Sequence, residues 1–513
     1  MVNIYIVRCK KKYLRIRQLV NIIFLLLCGI YIEISDIEAQ TKNNLTNKVE
    51  IRMESSTTLS NGNYAPLWLS SNRYGLSSVE HNSNYERVGI FRSLQADSLC
   101  KWRVGYGVDM AGCIDFTSHY VLQQAYFEAA YNKLLLSVGS KECLCDLKNN
   151  ELTSGGLSIG INARPIPQVR GEVDYFDVPG MHGWWQLKGR LSYGWFTDGR
   201  WQTRYLNDRG TLNTAKHTEH VLYHEKAMYW KFGKEEVFPL TFEIGLQMAA
   251  EFGGTLYVNG VKNKQGAGLK DFLTVFVAGG HDPTDGPNPN TEGDYVGSYN
   301  MALTYKPRNW MLRAYFERYF EDQSMMTVQY GIYDHLFGLE VGLPANKWVS
   351  SLVVEHLSTK DQSGAVYHDR TANIQDKMNG RDDYYNHGNY MGWQHWGMAL
   401  GSPLITSPIY NTNGDLLFHN NRVQAWHVGL SGDPSRELHY RVLLTHTENW
   451  GRYVVPFDDV LQQNSFLVEA RYRPRWASSW SFTGAWAWDR GKVIGNSHGV
   501  QFTIRKYLSM NKR

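Results

Sequence analysis

Hydrophobic and polar residues alternate with a period of two along most of this chain. In 240–249, Leu240, Phe242 and Ile244 alternate with polar or small residues, and 438–445, 466–473 and 480–488 repeat the pattern. Successive side chains of a β-strand point to opposite faces, so this alternation predicts strands with one apolar and one polar face.

The length of these runs separates two all-β architectures. A soluble sandwich also alternates, with its apolar face in the core. The runs here reach about ten residues, the length needed to cross a bilayer at a tilt. Aromatic residues gather near their ends, as at Trp195, Trp230, Trp310 and Trp450, and such girdles mark the two interfaces of a membrane barrel. The pattern therefore favours a transmembrane antiparallel β-barrel over a sandwich.

Eighteen strands account for the pattern, and an even number is expected of a bacterial barrel. The predicted strands are 48–60, 86–97, 99–112, 120–131, 133–141, 167–178, 186–197, 220–233, 240–255, 295–306, 310–321, 329–342, 347–358, 422–432, 437–449, 464–474, 478–489 and 498–508. Both chain ends then lie on the periplasmic side.

The lengths of the connections agree with this count. The segments 306–309, 343–346 and 432–435 become short periplasmic turns, whereas 205–219, 256–294 and 359–421 become long extracellular loops. The apolar run 272–277 inside 256–294 is not counted as a strand, because one more strand would exchange the periplasmic and extracellular sides of every later connection. We expect it to form a short helix or plug within the lumen.

Composition narrows the function. The mean hydropathy of −0.41 excludes a bundle of membrane helices. The formal net charge is +4, and no basic run extends through the mature region, so no nucleic-acid partner is expected.

The N-terminus has the features of an export signal. A basic start precedes the apolar stretch 19–32, and cleavage after Ala39 is expected. This makes 1–39 a signal peptide and 40–513 the barrel. A membrane-anchor helix is the alternative, although the stretch is short for a span of about 20 residues. A lipoprotein signal at Cys28 is disfavoured by the bulky Leu27 before it.

Four cysteines remain after cleavage. The strand count places Cys113 at the same end as Cys143 and Cys145, with Cys100 at the opposite end. A disulfide between Cys113 and either Cys143 or Cys145 is left as an open alternative. The pair Cys143 and Cys145 lacks the further ligands that a zinc site needs.

The loop 359–421 is the first candidate for function. Aromatic rings stack on sugar faces, carboxylate, amide and imidazole groups bind hydroxyls, and arginine binds a uronate or phosphate. The competing interpretation, compatible with binding, is a loop that packs on itself and plugs the lumen. The candidate binding residues in this loop are Arg381, Asp382, Tyr384, Tyr385, Asn386, His387, Trp393 and Trp396.

An enzyme is the alternative of another class. Outer-membrane phospholipases carry a Ser–His pair on one strand, and no such pair with an ordering residue stands out here. No phosphate loop or zinc-protease motif occurs. We expect no catalytic residues, no cofactor and no metal.

Three segments together carry a resemblance to a known family. They are APLWLSSNRYGL at 65–76, TKDQSG at 359–364, and the stretch from Gly380 to GSP at 401–403. The chain resembles the Wzi-type capsule-assembly proteins of Bacteroides-like bacteria. One departure is the C-terminus, which ends in Lys512 and Arg513 where barrels often finish on an aromatic residue.

The resemblance implies an 18-stranded outer-membrane barrel that anchors capsular polysaccharide in the manner of a lectin. It adds Trp68, Asn72, Arg73 and Tyr74 of the first loop to the candidate binding residues. The expected partners are capsular polysaccharide, outer-membrane lipids and the barrel-insertion machinery, and the expected state is a monomer. A diffusion porin is the main competitor, against which the size of the loops and the 256–294 insertion favour a blocked lumen.

Overall fold

A computed structural model describes residues 45, 47–98, 100–278, 293–321, 332–346, 348–362 and 382–510. Contacts divide the chain into a unit of residues 51–508, which holds the barrel, and a terminal unit of residues 1–50 and 509–513. The predicted signal peptide lies outside the described residues.

Eighteen antiparallel strands form one closed sheet. Each strand pairs with its neighbours in chain order, and the last strand pairs with the first. Side chains reinforce this closure, since Ser56 Oγ lies 2.8 Å from Thr503 Oγ1. The strands are β1 (Val49–Asn61), β2 (Asn82–Arg92), β3 (Trp102–Ile114), β4 (Tyr120–Tyr131), β5 (Leu134–Ser140), β6 (Gln168–Asp177), β7 (Trp185–Trp195), β8 (Leu222–Phe232), β9 (Leu240–Phe252), β10 (Asp294–Tyr305), β11 (Met311–Glu321), β12 (His335–Gly342), β13 (Ser351–Ser358), β14 (Val423–Gly432), β15 (Leu438–Gly451), β16 (Pro456–Tyr472), β17 (Trp480–Gly491) and β18 (Ser497–Met510).

The barrel wall has an apolar outside and a largely polar inside. On β14, Trp426 is 57% exposed while its neighbours Ala425 and His427 are buried. The same alternation leaves an outward belt of Val, Leu, Phe and Trp side chains on most strands. A belt of this extent is stable only against lipid, so the predicted transmembrane barrel of eighteen strands is confirmed.

The two ends of the barrel differ in the length of their connections. At one end the longest connection is 93–101, and the predicted turns at 306–309, 343–346 and 432–435 all lie there. At the other, the long-loop end, the connections include 62–81, 141–167, 196–221, 253–293 and 359–422.

The positions of the cysteines follow from these connections. Cys113 and Cys143 lie at the long-loop end and Cys100 at the other, as predicted. All four described cysteines are free thiols, so the disulfide left open from Cys113 is not formed.

Three connections fold back into the barrel. The segments 62–81, 141–167 and 382–421 bury residues against the inner face of the wall, and we call them the lumen segments. The segment 141–167 reaches the far end, where the Arg441 guanidinium donates to the Glu151 carbonyl at 2.9 Å. The first lumen segment contains helix α1 (Leu67–Ser70).

Two inward carboxylates of the wall hold the second lumen segment. Glu317 of β11 pairs with Lys148 at 2.7 Å and accepts backbone N–H bonds from Leu157 and Ser158 at 3.0 and 3.1 Å. Glu355 of β13 accepts bonds from the Ser154 amide at 2.7 Å and its hydroxyl at 2.6 Å. A buried ion pair with its remaining lone pairs satisfied specifies one arrangement of the segment.

The predicted plug at 256–294 is not confirmed. Its described part forms two short strands, Thr255–Val258 and Val261–Lys264, which pair with each other, and the first of them also pairs with His217–Glu219. Helix α3 (Leu269–Phe276) follows. The helix was expected, but it packs against outward-facing wall residues such as Tyr193 and Phe252. Residues 279–292 lie outside the described residues.

The remaining regular elements are short. Helix α2 (Gly199–Asp208) belongs to the 196–221 connection, and Gln394–His395 pairs with Met398–Ala399 in the third lumen segment. Within the described residues, no helix has both the length and the apolar character to cross a membrane.

Candidate functional site: an arginine cleft at the long-loop end

Three aromatic residues predicted to bind sugar are buried inside the barrel. Tyr384, Tyr385 and Trp393 are at most 1% exposed. Tyr384 donates its hydroxyl to Asp334 at 2.8 Å, and the Trp393 indole donates to the Ser158 carbonyl at 2.5 Å. These rings join lumen segments to each other and to the wall, and no polymer outside the barrel can reach them.

The first-loop candidates also make internal contacts. The Trp68 indole donates to Thr445 Oγ1 of β15 at 3.1 Å, and Trp68 is 2% exposed. Arg73 forms a 2.8 Å ion pair with Glu469 of β16. Asn72 and Tyr74 both have positive φ and bond to the second lumen segment through their backbone amides, to Asn162 and Ile161.

The remaining candidates separate into two places. Asn386 and His387 line a cleft of about 540 Å³ together with Lys216, whereas Trp396 lines a different cleft. Asp382 is half-buried, and Arg381 lies outside the described residues. The structure therefore does not bring the predicted residues together in one site.

The cleft that contains Trp396 has a volume of about 400 Å³ and opens at the long-loop end. We call it the arginine cleft, because three arginines line it. Its walls come from all three lumen segments, the β3–β4 connection and helix α2. The lining residues used below are Glu80, Thr117, Arg164, Trp201, Arg204, Tyr205, Asp208, Arg209 and Trp396.

Arg164 is the buried cation of the arginine cleft. Its guanidinium carbon lies 4.3 Å from the centroid of the Trp396 ring, and Nη2 donates to Thr117 Oγ1 at 2.6 Å. Among the described residues, no carboxylate lies within 4.0 Å of its nitrogens. Burial lowers the pKa of Arg164 to about 10, although the negative charge of the buried Asp198 opposes this shift. The side chain keeps its charge at neutral pH, and its guanidinium would attract an anionic ligand.

Helix α2 supplies the aromatic wall of the cleft. Trp201 and Tyr205 lie one helical turn apart, with ring centroids separated by 5.2 Å, and both are buried. Arg204 and Arg209 are exposed and line the same cavity. Arg204 donates to the Thr117 carbonyl at 2.8 Å, and the Arg209 guanidinium lies 3.6 Å from the Tyr205 ring centroid. The helix and the residue that follows it thus present aromatic edges and two exposed cations to one cavity.

The acidic residues of the cleft do not cancel its arginines. Glu80 and Asp208 are both exposed and line the same cavity. Among the lining residues, three arginines face two carboxylates, and the buried Asp198, which does not line the cleft, also attracts Arg164. Only Arg164 is withdrawn from water, so it contributes most to binding an anion.

Sequence reasoning did not identify helix α2 as part of a site. The signal was present, because Trp201, Tyr205 and Leu206 recur at helical spacing among polar residues in 199–208. The predicted strand ended at 197, and 205–219 was assigned to an extracellular loop, so no helix was expected in this stretch. No local sequence pattern marked Arg164 as a site residue, because Arg164 contacts Trp396 only when 141–167 folds into the lumen.

His395 connects the cleft to the lumen segments. Its Nδ1 lies 2.9 Å from the Arg164 carbonyl, and its Nε2 accepts a bond from the Thr197 amide at 3.3 Å. The accepting Nε2 fixes the neutral tautomer with its proton on Nδ1. Burial lowers the pKa of His395.

The second cleft has a different chemistry. Lys216 is half-buried there and donates to the His387 carbonyl. Burial lowers the pKa of this amine to about 8. Arg452 and Asp383 form an ion pair at the rim. These charged groups already have partners within the protein, so this cleft should bind an anion more weakly than the arginine cleft does.

Comparison with known proteins bears on the fold alone. No protein-family model matches the sequence, and no curated protein does. Among solved structures, the chain is similar to the Escherichia coli outer-membrane protein Wzi, described as involved in group 1 capsule assembly and as a carbohydrate-binding β-barrel. The identity is 12%, the TM-score is 0.57, and the alignment covers 92% of this chain and 87% of Wzi.

Two Pseudomonas aeruginosa barrels align less well. OprD has 8% identity and a TM-score of 0.44, covering 91% of this chain and 96% of OprD. OccD3 has 10% identity and a TM-score of 0.45, covering 91% of this chain and 92% of OccD3. At such identities the comparison with Wzi shows a shared barrel architecture.

Proposed function

We propose that this protein is an outer-membrane barrel of the Wzi type that binds acidic capsular polysaccharide and holds it at the cell surface. The observation that carries the proposal is the arginine cleft, where the charged Arg164 is buried against Trp396 with no carboxylate partner among the described residues. The similarity of the fold to a barrel described as carbohydrate-binding supports it.

The chemistry of the cleft suits an acidic sugar. The aromatic edges of Trp396 and Trp201 complement the apolar faces of a pyranose ring, and Thr117 offers a hydroxyl. The planar guanidinium of Arg164 matches a uronate carboxylate or a phosphate. A long polymer presents such groups repeatedly, so modest individual contacts add up to firm retention when many barrels hold one chain.

The location of the cleft also supports an anchor at the cell surface. Bacterial barrels carry short turns on the periplasmic side and long loops outside. The arginine cleft lies among the long connections, so an outer-membrane orientation places it toward the capsule. The lumen segments pack inside the barrel beneath it, an arrangement that suits a binding protein better than a diffusion channel.

The experiment compares cells that lack the protein with cells that carry the parent, Arg164→Met or Arg200→Met. Arg200 is an exposed arginine of helix α2 that does not line the cleft, so it serves as a matched control. The parent and Arg200→Met are expected to keep polysaccharide on the cells. Arg164→Met is expected to shed it into the medium while total polysaccharide stays constant.

Barrel level and folding are checked by heat-modifiable gel mobility. If well-folded Arg164→Met retains as much polysaccharide as the parent, the cleft is not the anchor. If cells without the protein also retain it, the proposed function is wrong.

A further inference from the structure

Helix α3 lies on the outside of the barrel, on the face that the wall turns toward lipid. Glu225 of β8 points inward, where it pairs with Arg190 at 2.6 Å. Side chains alternate along a strand, so its neighbours His224 and Lys226 point outward. The ring of Phe276 lies 5.2 Å from Lys226 Nζ and 6.1 Å from the His224 ring. The helix therefore covers the outer surface of β8.

Hydrogen bonds from the wall hold the helix by its carbonyls. Tyr193 of β7 donates its hydroxyl to the Phe272 carbonyl at 2.9 Å. Tyr295 of β10 donates to the Val275 carbonyl at 3.3 Å, and Lys226 donates to the Phe276 carbonyl. The last carbonyls of a helix carry partial negative charge and lack partners within the helix. The bond from Lys226 satisfies both the ammonium and this helix end.

The helix covers two groups that lipid would not tolerate. An ammonium or an imidazole facing hydrocarbon is costly. His224 is 1% exposed, stacked on Tyr193 with ring centroids 4.5 Å apart. Lys226 is half-buried beneath Phe276. With α3 in place, the outer wall presents apolar helix side chains instead of these polar groups.

The free face of the helix is apolar. Leu269 is 72% exposed, Leu273 63% and Val277 68%, although each is a large hydrophobic residue. This face adjoins the outward belt of the wall, since Leu191 pairs in register with Lys226 and is 39% exposed. Met228, two residues along β8, is 46% exposed. The exposed face of α3 is therefore continuous with the surface that meets lipid.

We propose that helix α3 is an interfacial membrane helix whose exposed face inserts among the acyl chains of the outer leaflet, beside the barrel wall. Its inner face packs on β7, β8 and β10, and its outer face replaces the wall as the lipid-contacting surface. The inference is independent of polysaccharide binding, because the arginine cleft and α3 share no residues.

The test places a small environment-sensitive fluorophore on Leu273→Cys in a Cys100→Ser background, because Cys100 is the exposed thiol among the four described cysteines. The full-length protein is refolded into phosphatidylcholine vesicles with brominated acyl chains. A matched label on Lys264→Cys reports from the hairpin before α3, where that residue is exposed and polar. The unsubstituted background measures any labelling of the other cysteines.

Quenching by brominated lipid and protection from aqueous iodide at position 273, with the reverse at 264, is the expected result. The ratio of the two quenching constants should differ between the sites by about an order of magnitude. Iodide quenching at both sites would show that α3 projects into water and overturn the proposal. Protection of position 273 from both quenchers would show that protein covers the helix, and would overturn it equally.

Discussion

The guanidinium of Arg164 lies over the indole ring of Trp396, with 4.3 Å between the guanidinium carbon and the ring centroid. The two residues come from different lumen segments, so the pair forms only when both are seated in the barrel. The charge and the aromatic surface of the arginine cleft are therefore coupled to the packing of the lumen.

Replacing Trp396 by alanine should weaken polysaccharide binding by about two- to thirtyfold, because a buried cation–π contact contributes about 0.5–2 kcal/mol. Trp396→Phe keeps an aromatic ring in contact with Arg164 and should bind nearly as well as the parent. Titration of purified proteins with polysaccharide fragments measures both. Equal loss in the two variants would mean that the indole nitrogen, and not the ring face, matters.

Replacing Trp393 by alanine should loosen the packing of the lumen segments and leave the outer surface of the protein largely unchanged. The ring is fully buried, and truncating a buried Trp costs about 3–5 kcal/mol. Limited proteolysis of the folded protein should cut the 382–421 segment faster than in the parent. A sequence-based expectation assigned Tyr384, Tyr385 and Trp393 to sugar binding, with the barrel unaffected. Any capsule loss in Trp393→Ala should instead accompany loosened packing.

Replacing Glu355 by alanine should open a path through the barrel. Removing this carboxylate leaves the Ser154 amide and hydroxyl, buried inside the lumen, without their acceptor. Single-channel recordings should show larger and more frequent openings than the nearly silent parent. Glu86→Ala, whose carboxylate only accepts from the exposed Ser55 hydroxyl among its described side-chain bonds, is the control. High steady conductance of the parent itself would contradict a filled lumen.

Acid should loosen the link between His395 and Arg164. The pKa of His395 is lowered in the folded protein, so below about 6.5 the unfolded chain binds the proton more readily. Stability from the neutral ring is present above that pH and is lost as pH falls through the folded pKa. The fall in melting temperature from pH 7.5 to 5.0 should be smaller in His395→Asn, which cannot titrate. An equal fall in both proteins would assign the pH effect to other groups.

The barrel could be predicted because its signal is local. Each wall strand alternates between lipid and lumen, and all eighteen predicted strands overlap observed ones. The largest error is β16, which begins at Pro456 and not at 464. Its first residues include Asp458 and Asp459, which are both exposed. A strand that extends beyond the membrane is polar on both faces, so alternation could not mark it.

The contents of the lumen could not be predicted, because they depend on contacts distant in sequence. The segment 141–167 shows no periodicity, and it is held by Glu317 and Glu355, about 160 to 200 residues further along the chain. The apolar run 272–277 was expected as a short helix or plug within the lumen, because irregular backbone cannot be left unsatisfied in lipid. A helix satisfies its own backbone hydrogen bonds, however, so helix α3 can rest on the outer wall.

The central claim is that Arg164 makes the arginine cleft a site for acidic polysaccharide. The most direct measurement is the dissociation constant of the purified parent and Arg164→Met for fragments of the capsular polysaccharide from the cells that carry the protein, with neutral dextran of equal length as reference. We predict that the parent binds the acidic fragments and not dextran, and that Arg164→Met binds them about ten- to a hundredfold more weakly, as expected for a lost charge-assisted hydrogen bond. Equal affinity of the two proteins, or equal binding of dextran and the acidic fragments, would contradict the claim.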